Sequence, residues 1–158
     1  MPVELDDLDR RIVALLLKDG RTPAAQIADQ IGLSRPAVAD RIEKLEKLGV
    51  IRGITVVVDP EAMGRRVTAF VAARGVHTLT AKASKLFRAI IADDEVLEAH
   101  TVAGDDCYLI KVRTDSISSL NKLVGKLTAP PLSLSTRTTI VMQTHCEKVG
   151  GIVLGDPS

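Results

Sequence analysis

The hydrophobic period of this chain changes once, near Gly53, and the change separates two kinds of folding unit. Before it, apolar residues recur three and four apart: Leu8, Ile12, Leu15 and Leu16, then Ile27 and Ile31, then Val38, Ile42 and Leu45. Each set lines one face of a helix, so residues 1–53 read as three short helices around a shared aliphatic core. Asp6 is placed to cap the first helix, with Asp7 and Asp9 in its first turn and Lys18 near its far end, where the helix dipole favours each charge. Gly20 closes it. Thr22-Pro23 reads as N-cap and first residue of the second helix, which Gly32 ends. Ser34 caps the third, Pro36 is tolerated in its first turn, and Gly49 terminates it.

Beyond Gly53 the pattern alternates. The β-branched run from Ile54 to Val58 stops at Asp59-Pro60, which predicts a connecting strand and then a hinge around Ala62-Met63-Gly64, a linker over residues 54–64. Residues 65–148 follow as a second domain. Strands are expected at 67–76, 96–102, 107–113 and 134–144, with helices from Thr80 to Ala92 and after Ser116, and Gly104-Asp105-Asp106 as a hairpin turn. The order βαββαβ is the split βαβ, ferredoxin-like arrangement, an antiparallel sheet with two helices on one face. Nothing in the sequence supplies a layer for the other face, so pairing of two sheets in a dimer is the economical way to cover it. Residues 149–158 form a tail, either loose or adding a short strand.

With 46% hydrophobic and 26% charged residues, 158 residues can bury two such cores, and extensive disorder is excluded. The formal charge of +1 excludes a bulk positive field, so any nucleic-acid contact has to be local. Three aromatics, Phe70, Phe87 and Tyr108, are too few for a single-strand binder that stacks successive bases. No apolar run approaches the roughly 20 residues of a membrane span. The N-terminal residues lack the pattern of a signal peptide, and a reducing cytoplasm is the expected location. No metal or other cofactor is implied.

The second helix, the break at Gly32-Leu33-Ser34 and the third helix have the spacing of a helix-turn-helix, whose second helix enters the major groove of double-stranded DNA. Taking Val38, Ile42 and Leu45 as the core face leaves Ala37, Asp40, Arg41 and Lys44 outward, with Ser34 and Arg35 at the entrance. Arg35 and Arg41 have the length and donors to grip guanine, and Ala37 is small enough to approach a thymine methyl. Lys44, Lys47 and Arg52 suit phosphates. The bland alternative is a solvated face laced by pairs such as Glu43/Lys47.

The wording narrows that choice. Leu5-Asp6-Asp7-Leu8-Asp9-Arg10-Arg11-Ile12, Asp19-Gly20-Arg21, Gly32-Leu33-Ser34, Arg41-Ile42-Glu43-Lys44-Leu45-Glu46 and Gly49-Val50-Ile51-Arg52-Gly53 together resemble the Lrp/AsnC, or feast/famine, family of transcription regulators. The resemblance continues through Val57-Val58-Asp59-Pro60, Val102-Ala103-Gly104-Asp105 and Thr136-Arg137-Thr138-Thr139-Ile140-Val141, covering roughly residues 5–145. It implies an α+β chain, a winged-type helix-turn-helix domain followed by a ferredoxin-like βαββαβ (RAM) domain. It also implies a homodimer that assembles further, commonly to octamers, and a small-molecule effector, usually an amino acid. The effector residues carried over by the resemblance are Val102, Ala103, Gly104, Asp105, Asp106 and Thr138. The family's loop reads like Gly-Asp-Tyr-Asp, whereas this one has Asp106 at the usual Tyr and Cys107 at the usual second Asp. A thiol cannot pair with an ammonium. The alternative for Asp105 and Asp106 is a plain turn-forming role.

Two further readings compete. Haem-pathway decarboxylases are similar in two-domain architecture, which would give His77, His100 or His145 a role; an amino-acid sensor acting without DNA is the other. Spacing makes each histidine structural and Cys107 and Cys146 buried reduced thiols, and no nucleophile or paired carboxylate cleft accompanies them.

Overall fold

A computed structural model describes residues 3–75 and 79–148. The described residues divide into two units, 3–57 together with 146–148, and 58–145, each with its own aliphatic core. In the first, α1 (Asp7–Lys18), α2 (Ala24–Ile31) and α3 (Arg35–Lys47) bury Ile12, Ile27, Ile31, Val38 and Leu45. Asp6 caps α1, its Oδ1 accepting from the Asp9 amide at 2.7 Å, and Ser34 caps α3, its Oγ accepting from the Ala37 amide at 3.3 Å. Gly32 ends α2 at φ +72°, a left-handed conformation that costs a side-chain-bearing residue steric strain. The cap expected of Thr22 is not made. Its hydroxyl donates back to the Asp19 carbonyl at 2.7 Å, and Pro23 takes the N-cap position without a side-chain bond.

The strand expected at 54–58 does not form. Ile54, Val56, Val57 and Val58 are exposed, and among the described residues no neighbouring strand completes a ladder with them. Strand propensity reports packing on a pleated surface, and this segment has none to join among the described residues. The hinge expected at 62–64 is a closed turn, with Met63, Gly64 and Arg65 amides donating to the carbonyls of Asp59, Glu61 and Pro60.

The second unit contains β1 (Val67–Arg74), α4 (Ala81–Ile91), β2 (Val96–Thr101), β3 (Tyr108–Thr114), α5 (Ile117–Thr128) and β4 (Ser135–Ile140). The sheet is antiparallel with order β2-β3-β1-β4, the ferredoxin-like arrangement. Ala69, Val71, Ala73, Ile110 and Val112 point to the helix side and pack on Ala83, Ile90, Leu120, Leu123 and Leu127. Phe87 of α4 lies 4.5 Å, centroid to centroid, from Tyr108. The last strand stops at Ile140 instead of running to 144, because Ile140 already pairs with Ala69 and the Val141 amide takes the Thr68 carbonyl. Beyond that point β1 has almost no residues left to pair.

The open face of the sheet is less apolar than expected. Phe70, Ala72 and Leu109 form its centre, ringed by Glu98, His100, Lys111, Arg113 and Arg137. Lys111 and His100 both reach Glu98, at 3.2 and 3.3 Å. Cys107 is half-buried, but Cys146 is exposed, contrary to the buried reading. His77 and the tail at 149–158 lie outside the described residues. Among the described residues no helix is long and apolar enough to cross a membrane, and no cluster of His, Cys, Asp and Glu could hold a metal ion.

Candidate nucleic-acid interface

Helix α3 stands after a three-residue break from α2, and its outer face is set by what it buries. Val38 and Leu45 are buried and Ile42 half-buried, so Arg35, Pro36, Ala39, Asp40, Glu43, Lys44 and Lys47 are exposed. Ser34 is exposed at the helix start and Arg52 beyond its end. Arg35, Lys44 and Arg52 have no ion pair among the described residues. Lys47 is bridged to Glu43 four residues earlier, the intrahelical pairing of a solvated face. Ala37 is half-buried, turned partly toward the core and away from the outer face where it was expected.

Arg41 is the main correction. Instead of facing outward, its Nη1 lies 2.7 Å from Asp6 Oδ2 and 2.6 Å from Asp9 Oδ1, tying α3 to the start of α1. Positions 38, 41 and 45 stand at i, i+3 and i+7, so Arg41 belongs to the buried row of the helix and its guanidinium follows that row inward. The acids of α1 do not all point elsewhere: Asp9 is 2% exposed and receives this cation. The Asp9 amide and then the Arg41 guanidinium hold the Asp6 carboxyl below its ordinary pKa, and Asp6 and Asp9 in turn raise that of Arg41. With Arg41 committed internally, the charge available on α3 and its exit is Arg35, Lys44, Lys47 and Arg52 against Asp40, Glu43 and Glu46. Pro36, Ala39 and Glu43 are also exposed on this helix and were not among the residues expected on its outer face.

The loop between β2 and β3 is the second candidate site. The Val102 amide donates to the Cys107 carbonyl at 3.0 Å, closing the loop, and Ala103, Gly104 and Asp105 project to solvent. Gly104 sits at φ +133° with open space around the position of a Cβ, so backbone conformation is what calls for glycine there. Asp106 is not a spare carboxylate: its Oδ2 lies 3.0 Å from Arg137 Nη2 on β4. Thr138 does not join it. Its partner in the ladder is Val71, on the helix side of the edge strand, while Arg137 opposite Ala72 is on the open face. Asp105 is therefore the exposed acid of the loop with no ion pair among the described residues.

Neither of the two described histidines lies in a cluster that could hold a metal ion. His100 is exposed beside Glu98, and His145 is exposed with no metal-binding neighbours among the described residues.

Residues 5–52 match a family model described as winged helix-turn-helix DNA-binding, and residues 68–150 match the Lrp/AsnC ligand binding domain. The HTH-type transcriptional regulator FL11 of Pyrococcus abyssi is 34% identical over 147 residues, an overlap of 93% of this chain and 95% of that one. The leucine-responsive regulatory protein of Escherichia coli is 34% identical over 145 residues, covering 89% and 86%. The solved structure of E. coli AsnC superposes with a TM-score of 0.79 at 31% identity, over 92% of this chain and 97% of that one.

Proposed function

The chain belongs to the Lrp/AsnC family of DNA-binding transcriptional regulators, and from that premise we propose that it reads DNA as a homodimer under the control of an amino acid. Its relatives are regulators and not enzymes, which sets aside the decarboxylase reading. The observation that carries the proposal is the exposed, core-free face of α3, entered at Ser34 and Arg35 and flanked by Lys44, Lys47 and Arg52. Arg35 makes the base contacts, Asp40 and Ala39 line the approach, and the lysines and Arg52 hold phosphates. Arg41 has no part in reading bases; it sets the pose of the helix.

The dimer is supported by the open sheet face, where Phe70 and Leu109 are 38% and 37% exposed at the centre of a charged ring. A second copy of the same face covers them, and such dimers assemble further, to octamers in the fullest form. The effector reading is supported by the ligand-domain match and by a relative named for its response to leucine. In this chain the ligand's ammonium goes to Asp105, with Val102, Ala103 and Gly104 supplying loop backbone, because Asp106 is held by Arg137 and Thr138 faces the other side. The regulator acts in the cytoplasm, where its DNA is.

A titration with the twenty amino acids, read by calorimetry and by DNA gel shift, tests the effector reading. At least one amino acid is expected to bind and shift DNA affinity, and Gly104→Arg to abolish that response while leaving ligand-free DNA affinity within about twofold. A response that survives Gly104→Arg contradicts the loop assignment; no binding by any amino acid contradicts the effector class.

A further inference from the structure

The half of the chain that carries α3 is the less basic half. Residues 1–57 hold nine Lys/Arg against nine Asp/Glu, and Arg41 and Arg11 are already bonded within the first unit. Residues 58–145, the second unit, hold eleven against nine, so the small positive surplus lies there. That surplus is sorted by layer. On the open sheet face, Lys111 and Arg137 are answered by Glu98 and Asp106. On the helix layer only Lys126 is answered, by Asp93 beyond the end of α4, and neither α4 nor α5 itself contains a single Asp or Glu.

Lys82, Lys85 and Arg88 on α4 and Lys122 and Lys126 on α5 are all exposed. Ala83 and Ile90, and Leu120, Leu123 and Leu127, hold the opposite faces of the two helices against the sheet. Lys126 is paired with Asp93 at 3.1 Å, whereas the other four have no ion pair among the described residues. The other exposed positions on the two helices are Ala81, Ala89, Ser118, Asn121, Gly125 and Thr128, small or polar, with Ile117 at the first residue of α5 the one large apolar side chain and no aromatic among them. Such a face offers mainly point charges, which suits phosphates better than base edges.

DNA affinity is dominated by phosphate neutralisation, and the nearly balanced charge on α3 supplies little of it. We propose that the outer face of the α4–α5 layer is a second, sequence-independent contact for the phosphate backbone of duplex DNA, outside the bases that α3 reads. The inference rests on the reading of the chain as a DNA-binding regulator. Because the layer lies on the side of the sheet away from the open face, a partner copy on that open face leaves it accessible, and a dimer presents it twice.

The test uses the full chain and a fluorescein-labelled mixed-sequence duplex of about 60 base pairs, with anisotropy titrations at several salt concentrations. The variant combining Lys82→Gln, Lys85→Gln, Arg88→Gln and Lys122→Gln is expected to lower the slope of log affinity against log salt by about 2–4 and to weaken binding at least about tenfold near physiological salt. Exchanging the same residues for the other basic type (Lys82→Arg, Lys85→Arg, Arg88→Lys, Lys122→Arg) is expected to keep the slope. The pair Lys82→Gln and Lys85→Gln alone should give about half the drop, which keeps the test informative if the fourfold variant folds poorly. An unchanged slope and affinity overturns the proposal, and is also the result if the face serves an acidic protein. Failure of the underlying reading looks different: the unaltered protein would then show no salt-dependent binding to duplex DNA at all.

Discussion

Replacing Arg41 by alanine is expected to destabilise the N-terminal unit by about 1–3 kcal/mol, the usual penalty for leaving a buried ionic or hydrogen-bonding group without its partner. The stranded group is Asp9, which is 2% exposed and loses the guanidinium 2.6 Å away. Exposure of Arg41 and Asp6 tempers the loss, which keeps it below the range for a fully buried pair. In a unit of this size each kcal/mol moves the melting temperature by about 4–8 °C. The pH dependence has a definite sign. The Asp6 carboxyl, whose folded pKa is depressed, stabilises the fold above its ordinary value of 3.8, and that contribution fades as pH falls through the lower folded value. Alanine at 41 removes the Arg41 share of this effect and leaves the Asp9 amide share, so the stability lost on acidification shrinks without vanishing. Thermal melts of both proteins at neutral and acid pH check this, and Arg41→Lys should recover part of the loss. An unchanged melting temperature would return Arg41 to the free face of the helix.

The other large effect is expected at the sheet. Leu109→Asp places a carboxylate at the centre of the open face, beside Ala72 and diagonal to Phe70, where a partner copy would have to desolvate it. Sedimentation should show the dimer dissociating to monomers at micromolar concentration. Affinity for a two-half-site duplex should fall by about 10²–10⁴, the advantage of joining two weak readers in one particle. The side chain is 37% exposed in the single chain, so the monomer's own melting temperature should change little. Retention of the dimer places the subunit contact elsewhere.

Helix caps, core rows and the βαββαβ order are local properties, and Asp6, Ser34, Gly32, Thr80 and Ser116 announce them in the sequence. What escaped depends on a partner distant in sequence. Arg41 looks outward until Asp9 is known to lie buried across from it, although its i+3 spacing from Val38 already placed it on the inner row. Ile54 to Val58 has the composition of a strand and no strand to pair with among the described residues. The end of the last strand is decided by where β1 begins, not by its own residues. Asp106 and Arg137, 31 positions apart, meet only because β4 lies beside β1, and that bond changes which acid the effector loop can offer.

Selection from a random duplex library by the full-length protein, followed by hydroxyl-radical footprinting of the enriched sequences, tests most directly that two copies of α3 read DNA together. The expected result is a pseudo-palindrome with half-sites about 10–10.5 base pairs apart, or a multiple of that, and a matching pair of protected grooves. Enrichment of one unrepeated half-site, or of no sequence at all, would contradict it.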